Sequence, residues 1–202
     1  MADAAFSAIV QAAVLGGIPF LGFFVFHKWR HKRTFADVAR LAGLQVGVPR
    51  YLAYSLAFSI VGLVALLVWS PELEPFTREG SAQRQFVGLG FSARALALAF
   101  FYGVLQTGFT EELIFRGLIA GSLSRRLPFL WANLLQAFIF LLPHLLVLMV
   151  MPEMWPVLPL VLVGALFFGW IRIKSGSILG SWLMHAFGNV AWAMIVAVRT
   201  AA

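Results

Sequence analysis

Apolar runs long enough to cross a bilayer recur along nearly the whole chain, at residues 4–26, 51–69, 95–122, 129–150, 157–173 and 177–198. A helical crossing needs about 20 such residues. In hydrocarbon only helices and closed barrels satisfy every backbone polar group, and runs this long are continuously apolar rather than alternating. The fold class they predict is all-α, a polytopic membrane helical bundle of about six transmembrane helices. Composition agrees, since 61% of the 202 residues are hydrophobic and 11% charged, a balance far from that of a soluble domain. Residues 1–202 read as a single integral membrane domain. The first run follows Asp3 with no basic segment ahead of it, so it is expected to be a retained helix rather than a cleaved signal.

A net charge of +7 would suit nucleic acid if it were gathered on one surface, but here it is divided among short loops. Lys28, Arg30, Lys32, Arg33, Arg40 and Arg50 lie between the first two runs, Arg125 and Arg126 between the third and fourth, and Arg172 and Lys174 between the fifth and sixth. The alternate loops hold Arg78, Arg84, Arg94 and Arg199 with most of the loop acids, Asp3, Glu72, Glu74, Glu79 and Glu153. By the positive-inside rule the basic loops are cytoplasmic and both termini lie outside. The partner this implies is the lipid bilayer, with no nucleic acid. Trp69, Trp131 and Trp155 fall near predicted span ends, where interfacial tryptophan collects. Cysteine is absent, which excludes disulfides, thiolate metal sites and a Cys nucleophile.

Within the spans, polar groups are few. The third carries Glu111, Glu112 and Arg116, the fourth His144, and the sixth His185 and Asn189. Such groups are costly in hydrocarbon and mark functional sites by default. Glu112 and Arg116 are four apart, on one helix face and within ion-pair reach. Glu111 points about 100° away from Glu112, so one carboxylate can be structural while the other acts. His185 and Asn189 also share a face. His144 follows Pro143, with Phe140 one turn earlier, and a proline inside the helix can kink it and open room beside the imidazole. The third run is long enough to be either a tilted helix or one broken near Gly108.

These groups suit hydrolysis of a peptide bond. A desolvated carboxylate can take a proton from water, an imidazole can orient that water, and a His–Asn pair can hydrogen-bond the developing oxyanion. Ser122, Ser124, Ser175, Ser177 and Ser181 lie near turns or span ends without the Gly-x-Ser-x-Gly elbow of a serine hydrolase.

Glu111-Glu112-x-x-x-Arg116, Phe140-x-x-x-His144 and His185-x-x-x-Asn189, in that order and each in an apolar span, resemble the three signature motifs of the CPBP or Abi family. That family includes the CAAX prenyl proteases and bacteriocin-processing or immunity-associated proteins. The resemblance covers about residues 95–195, and the helices of residues 95–198 would carry the catalytic core. It implies an intramembrane endopeptidase of the glutamic type without a cofactor. Glu111 would be the general base on a water shared with His144, Glu112 and Arg116 would shape the site with Phe140, and His185 and Asn189 would form the oxyanion hole. A metal-dependent alternative has Glu111, His144 and His185 holding Zn²⁺ with one position open. With about six spans, the chain is shorter than the eukaryotic prenyl-protein processors. It looks more like a bacterial inner-membrane protein that trims a membrane-associated peptide. Two other classes stand beside this reading: a non-enzymatic immunity or scaffold protein, and an ion-coupled transporter, for which an inverted repeat would be expected and none is evident.

Overall fold

The computed structural model describes residues 2–69, 72–149 and 151–201, and among these there is no strand. Helix α1 runs over 2–31 with a π-helical turn at Ala12–Gly17. It outlasts its apolar run because Lys28, Arg30 and His31 occupy its last turn, where cations complement the helix dipole. Lys32 ends it in a left-handed conformation, its N–H bonded to the His27 carbonyl. Helix α2 (Phe35–Leu41) is started by a capping box between Thr34 and Asp37. The remaining long helices are α3 (Pro49–Trp69), α4 (93–124), α5 (Phe129–Val147), α6 (Leu158–Ser175, after a 3₁₀ turn at Pro152–Val157) and α7 (Leu179–Arg199).

Among the described residues five helices are long and apolar enough to cross a membrane: Ala5–His31, Pro49–Val68, Phe129–Val147, Pro152–Ser175 and Leu179–Arg199. Helix α4 is a sixth long helix, too polar to count among these. At about 1.5 Å per residue its length far exceeds the ~30 Å hydrocarbon core, yet it carries most of the intramembrane polar residues. It is continuous through Gly108, so of the two expected forms the broken one is not adopted. The fourth span ends at Val147 rather than 150, a residue outside those described, and Pro152 starts the next element. Trp131 and Trp155 are exposed, as expected of interfacial residues; the side chain of Trp69 lies outside those described.

The loops meet one another at two ends of the bundle. At one end the three basic loops interlock. Val48 N–H donates to Ser175 O (3.1 Å) and Ile178 N–H to Gly43 O (3.0 Å), and Arg172 Nη2 donates to Leu41 O (2.8 Å). Gly47, at φ +73, is needed there, since a Cβ would stand 2.7 Å from the Ser175 carbonyl oxygen. At the other end Gly90 N–H meets Ala197 O (3.0 Å) and Arg78 pairs with Glu153 (2.7 Å).

The protein interior is small and built largely from small residues. Ala95, Leu98 and Ala99 of α4 pack on Ala193, Val196 and Ala197 of α7 over Phe86. Gly103 and Gly108 extend this seam: a Cβ at Gly103 would press on Val190, and one at Gly108 would already touch Ala186. Close approach through small residues is how helices pack in lipid, where apolar surface alone gives no drive to associate. The seam matters because it sets α7, with His185 and Asn189, directly beside the carboxylates of α4.

Candidate active site

Helix α4 is wound unusually around its acidic pair. Two π-helical stretches, Phe101–Phe109 and Glu112–Ala120, flank Thr110–Glu111. Side chains take up carbonyls along the widened turns. Thr107 Oγ1 donates to Tyr102 O (2.9 Å) and Thr110 Oγ1 to Leu105 O (3.1 Å), each five residues back. From α6, Arg172 Nε reaches Arg116 O (3.0 Å). π-Helical turns are frequent at functional sites.

The two glutamates part as adjacent helix positions must. The Glu112 side chain is fully buried, whereas that of Glu111 is 31% exposed. Glu112 Oε1 lies 3.0 Å from Arg116 Nη1 and 3.0 Å from His185 Nδ1. The Arg116 contact lacks the angle of a hydrogen bond, and the guanidinium nitrogens find no other acceptor among the described residues. Arg116 is held instead by charge and by aromatic faces, its Cζ 4.1 Å from the Phe140 ring centre and 5.1 Å from that of Phe168. Phe140 packs in turn on Phe115 and His144.

The histidines are oriented by what they bond. An ionised carboxylate only accepts, so Glu112 keeps a proton on His185 Nδ1 and turns Nε2 toward Glu111 Oε2, 3.8 Å away. On α5, His144 Nδ1 lies 2.9 Å from the Phe140 carbonyl. That carbonyl also only accepts, which puts the proton on Nδ1 and leaves Nε2 as the basic nitrogen.

A cavity of about 410 Å³ opens between α1, α4 and α5, and Glu111 and His144 both line it, together with Thr107, Pro143, Gln11 and Gln106. His185 and Asn189 are not among its lining residues. Asn189 reaches its wall through Thr107, to whose Oγ1 it donates from Nδ2 (2.7 Å). The structure therefore gathers Glu111 with His144 at a cavity and Glu112 with Arg116 and His185 inside the protein, and it joins Asn189 through a threonine. An apolar groove of about 550 Å³ between α3, α6 and α7 contains no ionisable side chain. Among the described residues no three His, Cys, Asp or Glu side chains stand where they would hold a metal ion, so Glu111, His144 and His185 do not make the close-set donor group that zinc requires.

Sequence reading missed three participants. Thr107 lies four residues before Glu111, a spacing that puts it on the same face. Gln11 is a strong amide within an apolar run, a signal that was there to be used. Phe168 had none, because a phenylalanine among twenty carries no mark of what it stacks on.

Residues 93–191 match the family described as type II CAAX prenyl endopeptidase Rce1-like. They form an Rce1-like domain. The Rce1-like domain spans α4, α5, α6 and α7 as far as Ala191, and so contains all seven residues singled out from the motifs, Glu111 to Asn189. The family is one of proteases, and with the membrane-crossing helices it makes this a multi-pass membrane protein of intramembrane-endopeptidase type. One wall of the cavity, with Gln11, comes from α1 and lies outside the Rce1-like domain. No curated protein and no solved structure matches the chain.

Proposed function

We propose that the protein hydrolyses a peptide bond in a membrane-associated protein or peptide, with Glu111 activating the water. The observation that carries this reading is the sharing of one cavity of about 410 Å³ by Glu111 and His144, while the neighbouring Glu112 is buried and occupied with Arg116 and His185. Of the two adjacent carboxylates, Glu111 is the one that lines the cavity, which supports giving it this role.

In the proposed reaction Glu111 takes a proton from a water that His144 orients through Nε2, and the water oxygen attacks the scissile carbonyl carbon. Negative charge develops on the carbonyl oxygen. His185 Nε2, when it carries a proton, and the second amide N–H of Asn189 are the donors on the α7 side. Glu111 then passes its proton to the amide nitrogen, the C–N bond breaks, and a carboxylic acid and an amine leave. A positioned general base contributes about 10²–10⁴-fold to such a step, and preorganised oxyanion donors a similar factor. No step is drawn through a metal. Zinc bound in stoichiometric amount, and lost together with cleavage on His144→Ala or His185→Ala, would replace this mechanism.

The substrate of this reading is a peptide that reaches the cavity from the bilayer in a bacterial inner membrane. The test is a comparison of protein termini in host cells carrying the wild type or Glu111→Gln at equal abundance. Termini that appear only with the wild type are expected. If none differ while a deletion phenotype is rescued by Glu111→Gln, the protein acts by binding, as an immunity or scaffold factor would.

A further inference from the structure

Gln11 of α1 and Gln106 of α4 both line the cavity that Glu111 and His144 share, and there Gln106 Nε2 donates to Gln11 Oε1 (2.7 Å). Gln11 is exposed and Gln106 half-buried. Both amides stand in long helices of mostly apolar sequence, where a polar group short of partners is costly. A carboxamide offers two donor hydrogens and two acceptor lone pairs, so one mutual bond uses only part of what the pair presents. Among the described residues Gln11 Nε2 and Gln106 Oε1 have no hydrogen-bond partner. A donor and an acceptor are therefore left side by side at the cavity. Interhelical bonding accounts for the mutual bond but not for this surplus on the wall that also holds Glu111.

A peptide hydrolysed at this depth must give up its helical hydrogen bonds around the scissile bond, and its bared backbone groups then need partners that hydrocarbon does not supply. In an extended chain the N–H and C=O of one residue point to the same side, as when two strands exchange a pair of bonds. We propose that Gln11 and Gln106 are positioning residues that stand in for a partner strand, Gln11 Nε2 donating to the C=O and Gln106 Oε1 accepting from the N–H of one substrate residue. This rests on the reading of the cavity as the place of hydrolysis, and adds that the substrate is bound extended and in a set register. Gln106 precedes Glu111 by five residues, roughly 7 Å at about 1.5 Å of helical rise each. An extended chain covers that distance in about two residues. The residue held by the amides thus lies about two from the scissile bond. Gln11 is outside residues 93–191, so half of this contact comes from a helix that the Rce1-like domain does not include.

The experiment is photocrosslinking of the full chain carrying Glu111→Gln, so that binding is read without turnover. The probe is a short apolar peptide with a photoreactive leucine at its centre, compared with analogues in which one backbone N–H at a time is replaced by an ester oxygen. Adducts at the cavity are expected, and an ester about two residues from the photoreactive one should raise the half-saturating concentration by about 3–10-fold. Adding Gln106→Leu should bring that ester and the all-amide peptide to the same value, a change that mere loosening of the bundle would not produce. Adding Gln11→Leu instead should weaken both peptides and keep the difference between them. An ester difference that survives Gln106→Leu, the lack of any sensitive position, or the lack of adducts at the cavity would overturn the proposal. If the ester pattern holds while host termini do not depend on Glu111, the extended binding stands and the hydrolysis falls.

Discussion

Substituting Gly103 by alanine tests whether the α4–α7 seam is what holds the candidate site together. A Cβ at Gly103 would stand 2.8 Å from Val190 Cγ2, 3.0 Å from the Val190 backbone nitrogen and 3.1 Å from Asn189 Cβ. The first of these is roughly 0.7 Å short of the ~3.5 Å at which such atoms rest comfortably. The second is to backbone, which cannot turn aside, so α7 must move. Overpacking of this kind costs about 1–3 kcal/mol. Alanine also gains about 1 kcal/mol over glycine in a helix, so the informative quantity is a difference. Gly188→Ala on α7 has the same propensity gain and meets nothing within 4 Å. Relative to that control, Gly103→Ala should be less stable by about 1–3 kcal/mol, or roughly 2–12 °C in unfolding midpoint for a chain of this size. Displacing α7 also stretches the Asn189–Thr107 bond (2.7 Å) and the bond from Trp182 Nε1 to Val104 O (2.8 Å), so cleavage dependent on Glu111 should fall further than stability does. The assay is paired melting of the two variants in one detergent, with substrate cleavage measured well below both midpoints. Equal midpoints for Gly103→Ala and Gly188→Ala would refute the close-packed seam, and with it the account of how His185 is brought to Glu112.

Glu112→Gln strands a buried guanidinium and should cost about 3–5 kcal/mol, measured by chemical unfolding; Glu112→Met/Arg116→Met should recover most of that stability without recovering cleavage. His144→Ala, at a half-buried position lining the cavity, should lower turnover by about 10²–10⁴-fold with little change in midpoint. Outside the membrane, the Thr34 side chain and backbone N–H, and then Arg40, hold the Asp37 carboxyl at about 2, below its usual 3.8. A depressed carboxylate stabilises above its unfolded value and loses that contribution as pH falls through the folded one, so protection of α2 amides against hydrogen exchange should weaken from about pH 4 toward pH 2. Asp37→Asn should abolish this dependence.

The bundle was legible because hydropathy and loop charge are properties of the chain itself. The basic loops that positive-inside counting put on one side do interlock, through Leu41, Gly43, Val48, Ser175 and Ile178. The separation of Glu111 from Glu112 was also legible, since rotation per residue is fixed once a helix is assumed. Which of the two faces a cavity was not, because that depends on where α1 and α5 come to rest. The π-helical winding was equally hidden: Thr107 and Thr110 donate to carbonyls five residues back and Arg172 reaches the Arg116 carbonyl from another helix, contacts that hydropathy does not encode. For His185 and Asn189 the sequence showed a shared face but not that one would bond Glu112 and the other Thr107. Those partners lie 73 and 82 residues away, and no local spacing encodes them.

Stability alone gives no reason for a fully buried Glu112–Arg116 pair, since removing both charges from water costs as much as, or more than, their attraction returns, and apolar residues of similar volume usually serve as well. Its arrangement suggests what the pair does instead. Arg116 is fixed over Phe140 and Phe168, so Glu112 is fixed beside Arg116, and the same Glu112 oxygen then holds His185 Nδ1. The imidazole thereby acquires both an orientation and a tautomer, with Nε2 turned toward Glu111. Phe140 completes the link on the other side, accepting His144 at its carbonyl while its ring lies under Arg116. The buried charge pair thus orients His185 toward Glu111, and adjacency in the sequence lets α4 supply both the charge that orients and the partly exposed carboxylate on which the proposed reaction rests.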